Sequence, residues 1–201
     1  MIVSVVNTKG GVSKTTTSVF LASELARREP DRQIVLADLD KQGSATEWAD
    51  RAHDNGDPFP FKVIVSNVKR LPRIAQEMGP EAALFIDTPP GDSAVIQAAI
   101  EMSDFVIVPT QAAGLDLSRV WETLPVITTQ MYAVLITSAR LGTKLLTDTI
   151  ATLEEQGISR FDTIVPLREH IRTAYGLRPP HDVAYSDVLT EMLEALKEEV
   201  E

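Results

Sequence analysis

Residues 1–18 read MIVSVVNTKGGVSKTTTS: an apolar run, a polar break that carries two glycines, and then Lys14 at the head of a longer segment. From Lys14 to Arg28 the apolar Val19, Phe20, Ala22, Leu25 and Ala26 recur at helical spacing, so the stretch reads as strand, glycine loop, helix. Glycines let backbone approach a polyanion closely, and a helix N-terminus presents unpaired N–H groups with the positive end of its dipole. Lys14 is placed to reach phosphates, and Thr15 supplies a hydroxyl of the kind that ligates magnesium. The loop departs from the ordinary phosphate-loop pattern, which wants glycine where this chain has Thr8 and Ser13. It fits K-G-G-x-x-K-[ST] instead, with a second lysine, Lys9, at the loop entrance. If the loop needs a positive φ at Ser13, serine costs about 1 kcal/mol relative to glycine there.

Working outward, the same alternation repeats. QIVLADLD at 33–40 is an apolar strand ending in acids, followed by a helix from about Ser44. FKVIV at 61–65 is a third strand, with a helix over 69–78. AALFID then stops at Asp87, closed off by Pro89, Pro90 and Gly91. A helix over 92–102, the strand DFVIVPT, a helix from Leu115 to Gln130, the strand YAVLIT and a helix over 143–156 follow. A weak strand at 161–165 and two C-terminal helices, the last over 183–200, complete the chain. Continuous apolar strands alternating with helices predict an α/β fold, a mostly parallel central sheet with helices on both faces. With no linker and no internal repeat, residues 1–201 read as a single domain.

Asp38 and Asp40 point to the same side of their strand, being two residues apart. A magnesium triphosphate site needs a carboxylate for the metal shell and a group that orients water for in-line attack. Asp87 stands where such a site has its strand-end magnesium acid; the bland alternative is strand-end acids that satisfy local backbone donors.

The chain has no cysteine, which excludes disulfides, thiolate zinc, cysteine-ligated clusters and a cysteine nucleophile. The N-terminus enters a strand directly, without a leader pattern, and no apolar run approaches membrane-spanning length, so the expected location is the cytoplasm. Nineteen basic against 29 acidic residues give a net charge of −10, which argues against indiscriminate polyanion binding. The charge is uneven: −5 over 1–118, +1 over 119–180 and −6 over 181–201. Any nucleic-acid surface must be a local patch, with Arg140, Lys144, Arg168, Arg172 and Arg178 as candidates, set against a merely solvated face. The acidic tail keeps an apolar stripe through Val188, Leu189, Met192, Leu193 and Leu196, suited to packing on the body rather than to an anionic membrane.

KGGVSKTT at 9–16, DLDKQGSATEW at 38–48, FIDTPPG at 85–91, IVPTQ at 107–111 and IVPLR at 164–168 together make the chain resemble the ParA/MinD group of deviant Walker-type ATPases, and more closely the small ParA-type partition ATPases without an N-terminal DNA-binding extension. The resemblance implies ATP held by Gly10, Gly11, Val12, Ser13, Lys14, Thr15 and Thr16, and Mg²⁺ held through Thr15 and Asp87. It further implies that Asp40 positions the attacking water, while Asp38 supports the loop or the metal shell. Lys9 is expected to reach across an ATP-dependent homodimer to the partner's phosphates, which makes Lys9, Lys14 and Asp40 the catalytic set. The adenine pocket is expected near Pro166, Leu167 and Arg168. Two departures stand out: Lys41 where the family usually has proline, and Thr137 or Ser138 where it often has asparagine.

The activity so implied is that of a partition ATPase: it dimerises on MgATP, binds nonspecific double-stranded DNA, associates with the nucleoid in the ATP state, and hydrolyses ATP under stimulation by a ParB-like centromere-binding adaptor. No membrane partner is expected. The same site also suits a nucleoid-based positioning ATPase for a protein cargo, or a nucleotide-binding regulatory protein with negligible turnover.

Overall fold

The computed structural model describes residues 1–112 and 114–198. Six strands, β1 (Ile2–Val5), β2 (Ile34–Asp38), β3 (Lys62–Val65), β4 (Ala83–Asp87), β5 (Phe105–Gln111) and β6 (Met131–Thr137), form one sheet in the order β3-β2-β4-β1-β5-β6. Every pairing is parallel. The helices are α1 (Lys14–Arg28), α2 (Ser44–Asp54), α3 (Leu71–Met78), α4 (Ser93–Glu101), α5 (Gly114–Thr123), α6 (Lys144–Glu155), α7 (Glu169–Thr173) and α8 (Val183–Glu198).

Alternate side chains of each strand leave opposite faces, and both faces are apolar, as parallel sheets require. Val3, Val5, Phe85, Phe105 and Ile107 pack in the same core as α1 and α8. Leu84 and Ile86, with Val35 and Ala37, pack with α3 and α4, while Val106, Val108, Val134 and Ile136 pack with α4 and α6. The tail stripe behaves as its sequence implies: Val188, Leu189 and Met192 are buried, and Leu193 and Leu196 pack at the core margin. Phe20 of α1 stacks on Tyr185 of α8 with ring centroids 4.8 Å apart. Beside it the buried Glu24 accepts hydrogen bonds from the His181 ring at 2.9 Å and the Asp182 N–H at 3.0 Å, and the Asp182 carboxylate accepts the Tyr185 N–H at 3.0 Å. Among the described residues no helix is long and apolar enough to cross a membrane.

Two expectations are corrected. The helix expected over 115–130 ends at Thr123, and Leu124–Val126 forms a 3-10 turn. Pro125 lacks an N–H and disfavours helical backbone in the residue before it, so the α-helix cannot run through. The strand expected over 161–165 is reduced to isolated bridges, Val134 with Arg160 and Ala139 with Pro166. Between these bridges the Glu191 carboxylate of α8 accepts the N–H groups of Asp162 and Thr163 at 2.7 and 2.9 Å, so these donors do not bond to β6. The final helix is described to Glu198; residues 199–200 of the expected span lie outside the described residues.

From β1 the chain runs one way to β2 and β3, returns to β4, and then crosses to β5 and β6. Neighbouring crossovers therefore diverge around β1, and the crevice beyond its carboxyl end is where ligands bind in open parallel sheets.

Candidate nucleotide site

The loop from Asn7 to Ser13 fills that crevice between the ends of β4 and β5. Buried Asn7 fixes its entrance, donating from Nδ2 to the Pro109 carbonyl at 2.9 Å and accepting the Lys9 N–H on Oδ1 at 2.8 Å. Gln111 donates to the Gly11 carbonyl at 3.0 Å, and the Thr8 carbonyl accepts the Gly91 N–H at 3.0 Å. The Thr137 hydroxyl lies 3.2 Å from the Thr110 carbonyl and 3.4 Å from that of Val12. The sequence alone does not single out Asn7 or Gln111. Their polar side chains at strand ends are the available signal, but their partners are about a hundred positions away.

Gly11 has φ 78°, and Ser13 has φ 69° and ψ 28°, so the left-handed conformation is required at Ser13. Ser13 is also the N-cap of α1, yet its side chain makes no capping bond. The first-turn N–H groups of Lys14, Thr15 and Thr16 have no carbonyl of their own helix to bond and lie at its positive end. Lys14 is nearly buried and turns its ammonium onto the Lys9 carbonyl at 2.8 Å. Burial lowers its pKa, against the opposing pull of Asp87 and Asp40.

Asp87, fully buried at the end of β4, accepts the Thr15 hydroxyl at 2.7 Å and lies 3.4 Å from the Ser18 hydroxyl. Burial pushes its carboxyl up to about 7; the Thr15 hydrogen bond opposes this, and the negative charge of Asp38 adds to it. Asp38 sits beside Asp87 in register, but its oxygens serve the loop that follows. One accepts the Asp40 N–H at 3.0 Å, and the other accepts the Thr46 N–H and hydroxyl at 3.0 and 2.9 Å, tying down the first turn of α2. Both Asp38 oxygens thus accept donors of the loop and of α2. Asp40 accepts the Gln42 N–H at 2.9 Å and lines a cavity of about 360 Å³ with Gly10, Gly11, Ser13, Lys14, Thr15 and Thr16.

The far wall of that cavity comes from Trp48 of α2 and Tyr175, which follows α7. Their rings are 5.6 Å apart, Arg51 lies 5.4 Å over the Tyr175 ring, and the Trp48 indole N–H donates to the Leu177 carbonyl at 2.8 Å. Neither aromatic is assignable to the site from sequence, because only folding brings residue 175 against residue 48.

Pro166 and Arg168 are not brought into this cavity. Pro166 bridges to Ala139, and Arg168 shares a separate depression with Leu167 and Arg172. Arg140 and Lys144 are exposed around the start of α6, next to that depression through the hydrogen bond from the Leu167 N–H to the Ala139 carbonyl at 2.8 Å. Arg178 stands apart from these cations, paired with Asp57 at 2.8 Å.

A glycine-bearing loop leading into a helix at the switch point of a parallel sheet, with an acid at the end of the adjacent strand, defines a phosphate-loop nucleotide-binding protein. The family model described as the CobQ/CobB/MinD/ParA nucleotide binding domain matches residues 3–178, and the chain belongs to that family of phosphate-loop ATPase domains. It is 36% identical over 183 residues to the maintenance of carboxysome distribution protein A of Gloeobacter kilaueensis, covering 86% of this chain and 80% of that protein. Its fold is similar to that of a plasmid partition protein of Borrelia burgdorferi bound to AMPPNP, with a TM-score of 0.76, 17% identity and 98% of each chain covered. It is likewise similar in fold to pNOB8 ParA bound to nonspecific DNA, with a TM-score of 0.68, 16% identity and 98% of each chain covered.

Two outcomes follow from this geometry. Ser13→Gly relieves the left-handed strain and raises unfolding free energy by up to about 1 kcal/mol in urea denaturation. In nucleotide-free buffer with EDTA, the contribution of Asp87 to stability falls as pH rises from about 4 to 7, because the folded Asp87 holds its proton up to about 7 while the unfolded carboxyl releases it near 4. Asp87→Asn removes that dependence, so its advantage over wild type grows through this window, to a ceiling of roughly 4 kcal/mol, and is level above it.

Proposed function

We propose that the protein is an ATP-driven positioning ATPase that dimerises on MgATP, uses DNA as its matrix and distributes a macromolecular cargo. The observation that carries this reading is the convergence of Lys14, Thr15 and Asp40 on one cavity at the α1 N-terminus, with Asp87 hydrogen-bonded to Thr15 behind it. In this reading the N–H groups of Gly11 to Thr16 receive the phosphates, and Lys14 exchanges the Lys9 carbonyl for phosphate oxygen. Thr15 and Asp87 would hold Mg²⁺, the latter through water, and the ion would supply charge neutralisation on the phosphates. Asp40 orients the water that attacks the terminal phosphorus as the bond to the ADP oxygen breaks. Lys9 contributes positive charge to the site of a second copy, so that dimerisation completes the machinery.

A protein assembly is the favoured cargo, supported by the 36% identity to a carboxysome distribution protein over most of both chains. DNA as matrix is supported by the DNA-bound relative of the same fold and by the exposed Arg140, Lys144, Arg168 and Arg172, none of which has an ion pair among the described residues. Two copies would double this patch, and phosphate contacts add where distant acidic charge is screened. Association with the nucleoid would then belong to the ATP-bound dimer. A centromere-binding adaptor remains the alternative partner, for a DNA cargo.

Light scattering behind size exclusion tests the dimer: Asp40→Ala, slowed in hydrolysis, doubles in mass with MgATP but not with ADP, and adding Lys9→Ala abolishes the change. One mass in all conditions would overturn the dimer switch. In duplex-DNA anisotropy with MgATP, Arg172→Glu weakens binding and makes the salt dependence shallower, by a slope of about one for each phosphate that a protomer no longer neutralises. Arg178→Glu has a much smaller effect, since Asp57 already neutralises Arg178.

A further inference from the structure

A second concavity, of about 480 Å³, shares Asp40 and Pro90 with the phosphate cavity. Its apolar lining comes from Leu39 of the loop after β2, Val68 of the loop after β3, Pro89 and Pro90 of the loop after β4, and Val95 of α4. It therefore touches both loops that flank the phosphate cavity. It opens beside β3, the edge strand of the sheet, whose last residue, Val65, is 63% exposed.

The charges around it are asymmetric. Lys41 lines the groove, Lys69 and Arg70 directly follow its lining residues Asn67 and Val68 in the same turn, and Lys62 lies at the far end of β3. That turn is fixed by Asn67, which accepts the Lys69 N–H on its side chain at 3.1 Å and the Arg70 N–H on its carbonyl at 2.9 Å. All four cations are exposed, and none has an ion pair among the described residues. Two carboxylates share the lining and keep their charge: Asp40, which accepts the Gln42 N–H, and Asp92, which accepts the Val95 N–H at 3.2 Å as the cap of α4, where the positive end of the helix dipole partly offsets it. In a chain of net charge −10, three exposed cations, Lys41, Lys69 and Arg70, outnumber these two carboxylates around the apolar hollow and make its rim complementary to negative charge attached to an apolar group.

We propose that this groove docks an acidic peptide segment of a partner protein, which sets a bulky apolar side chain among Leu39, Val68, Pro89, Pro90 and Val95 while its carboxylates meet Lys41, Lys69 and Arg70. The apolar floor favours a peptide over nucleic acid, whose phosphates would leave Val68 and Val95 without a partner. Such a peptide spans the loop of Asp40 and the loop after Asp87, and it rests on the positioning-ATPase reading only in being assigned to a cargo-side partner.

The test is to pan a phage-displayed library of random twelve-residue peptides on the immobilised full chain, then to measure the winners as fluorescein-labelled synthetic peptides by anisotropy. Winners rich in Asp and Glu around a large apolar residue are expected, with affinity falling about tenfold or more in Lys69→Glu/Arg70→Glu. ATP turnover of this variant, whose changes lie outside the phosphate site, stays at the wild-type value and shows that it is folded. Winners without acidic excess, or acidic winners that bind the variant as well as wild type, would overturn the proposal. So would a variant that loses duplex-DNA binding or ATP-dependent dimer mass instead, which would assign the groove to nucleic acid or to a second copy. Wild type that binds the peptides but never hydrolyses ATP would sink the ATPase reading alone.

Discussion

The hydrogen bond from Thr15 to Asp87 joins the first turn of α1 to the end of β4, two elements that are remote in sequence and central in the molecule. It brings the hydroxyl beside the unpaired helix N–H groups into contact with a carboxylate that has no access to water. Burial makes the charge on Asp87 costly, and its nearest acidic neighbour, Asp38, adds to that cost. A positive ligand at this point would relieve both. The architecture of the crevice is thus preloaded for a cation brought in with phosphates, and the Lys14 ammonium, resting on the Lys9 carbonyl, occupies part of the same electrostatic role.

Around this point the structure separates tasks that look alike in sequence. Asp38 and Asp40 share a strand end and a residue type, yet Asp38 commits its oxygens to holding the loop and α2, while Asp40 borders the cavity. Through Asp38 and Thr46 the cavity is connected to α2, and α2 is laced to the segment after α7 by the Trp48 bond to Leu177 and an Asn55 bond to the Gly176 carbonyl at 2.9 Å. That segment leads into the His181 and Asp182 contacts with Glu24, which return to α1. The phosphate loop and the C-terminal helix therefore stand at two ends of one continuous path of buried or half-buried polar contacts.

Charge is partitioned in the same way. The acidic excess resides on surfaces such as the outer face of α8, whereas the exposed cations without ion pairs among the described residues include Arg140, Lys144, Arg168 and Arg172 in one region and Lys41, Lys69 and Arg70 in another. Arg178 shows how little a residue count conveys: it is basic and exposed, but Asp57 has claimed it.

The sequence by itself determined the order of elements, the parallel sheet, the loop with Lys9, Lys14 and Thr15, and the strand-end acids, because these are encoded locally in apolar periodicity and glycine placement. Even the strain at Ser13 was legible, since it is the residue that stands where a phosphate loop ordinarily has glycine. Only the tertiary structure decided that Pro166 and Arg168 stay out of the phosphate cavity and that Tyr175 enters it. It also decided that Glu191 takes the backbone donors of Asp162 and Thr163, between the two bridges to the rest of the sheet. The physical reason is the same in each case: these outcomes depend on which distant polar group reaches a donor first, and that competition has no periodicity along the chain.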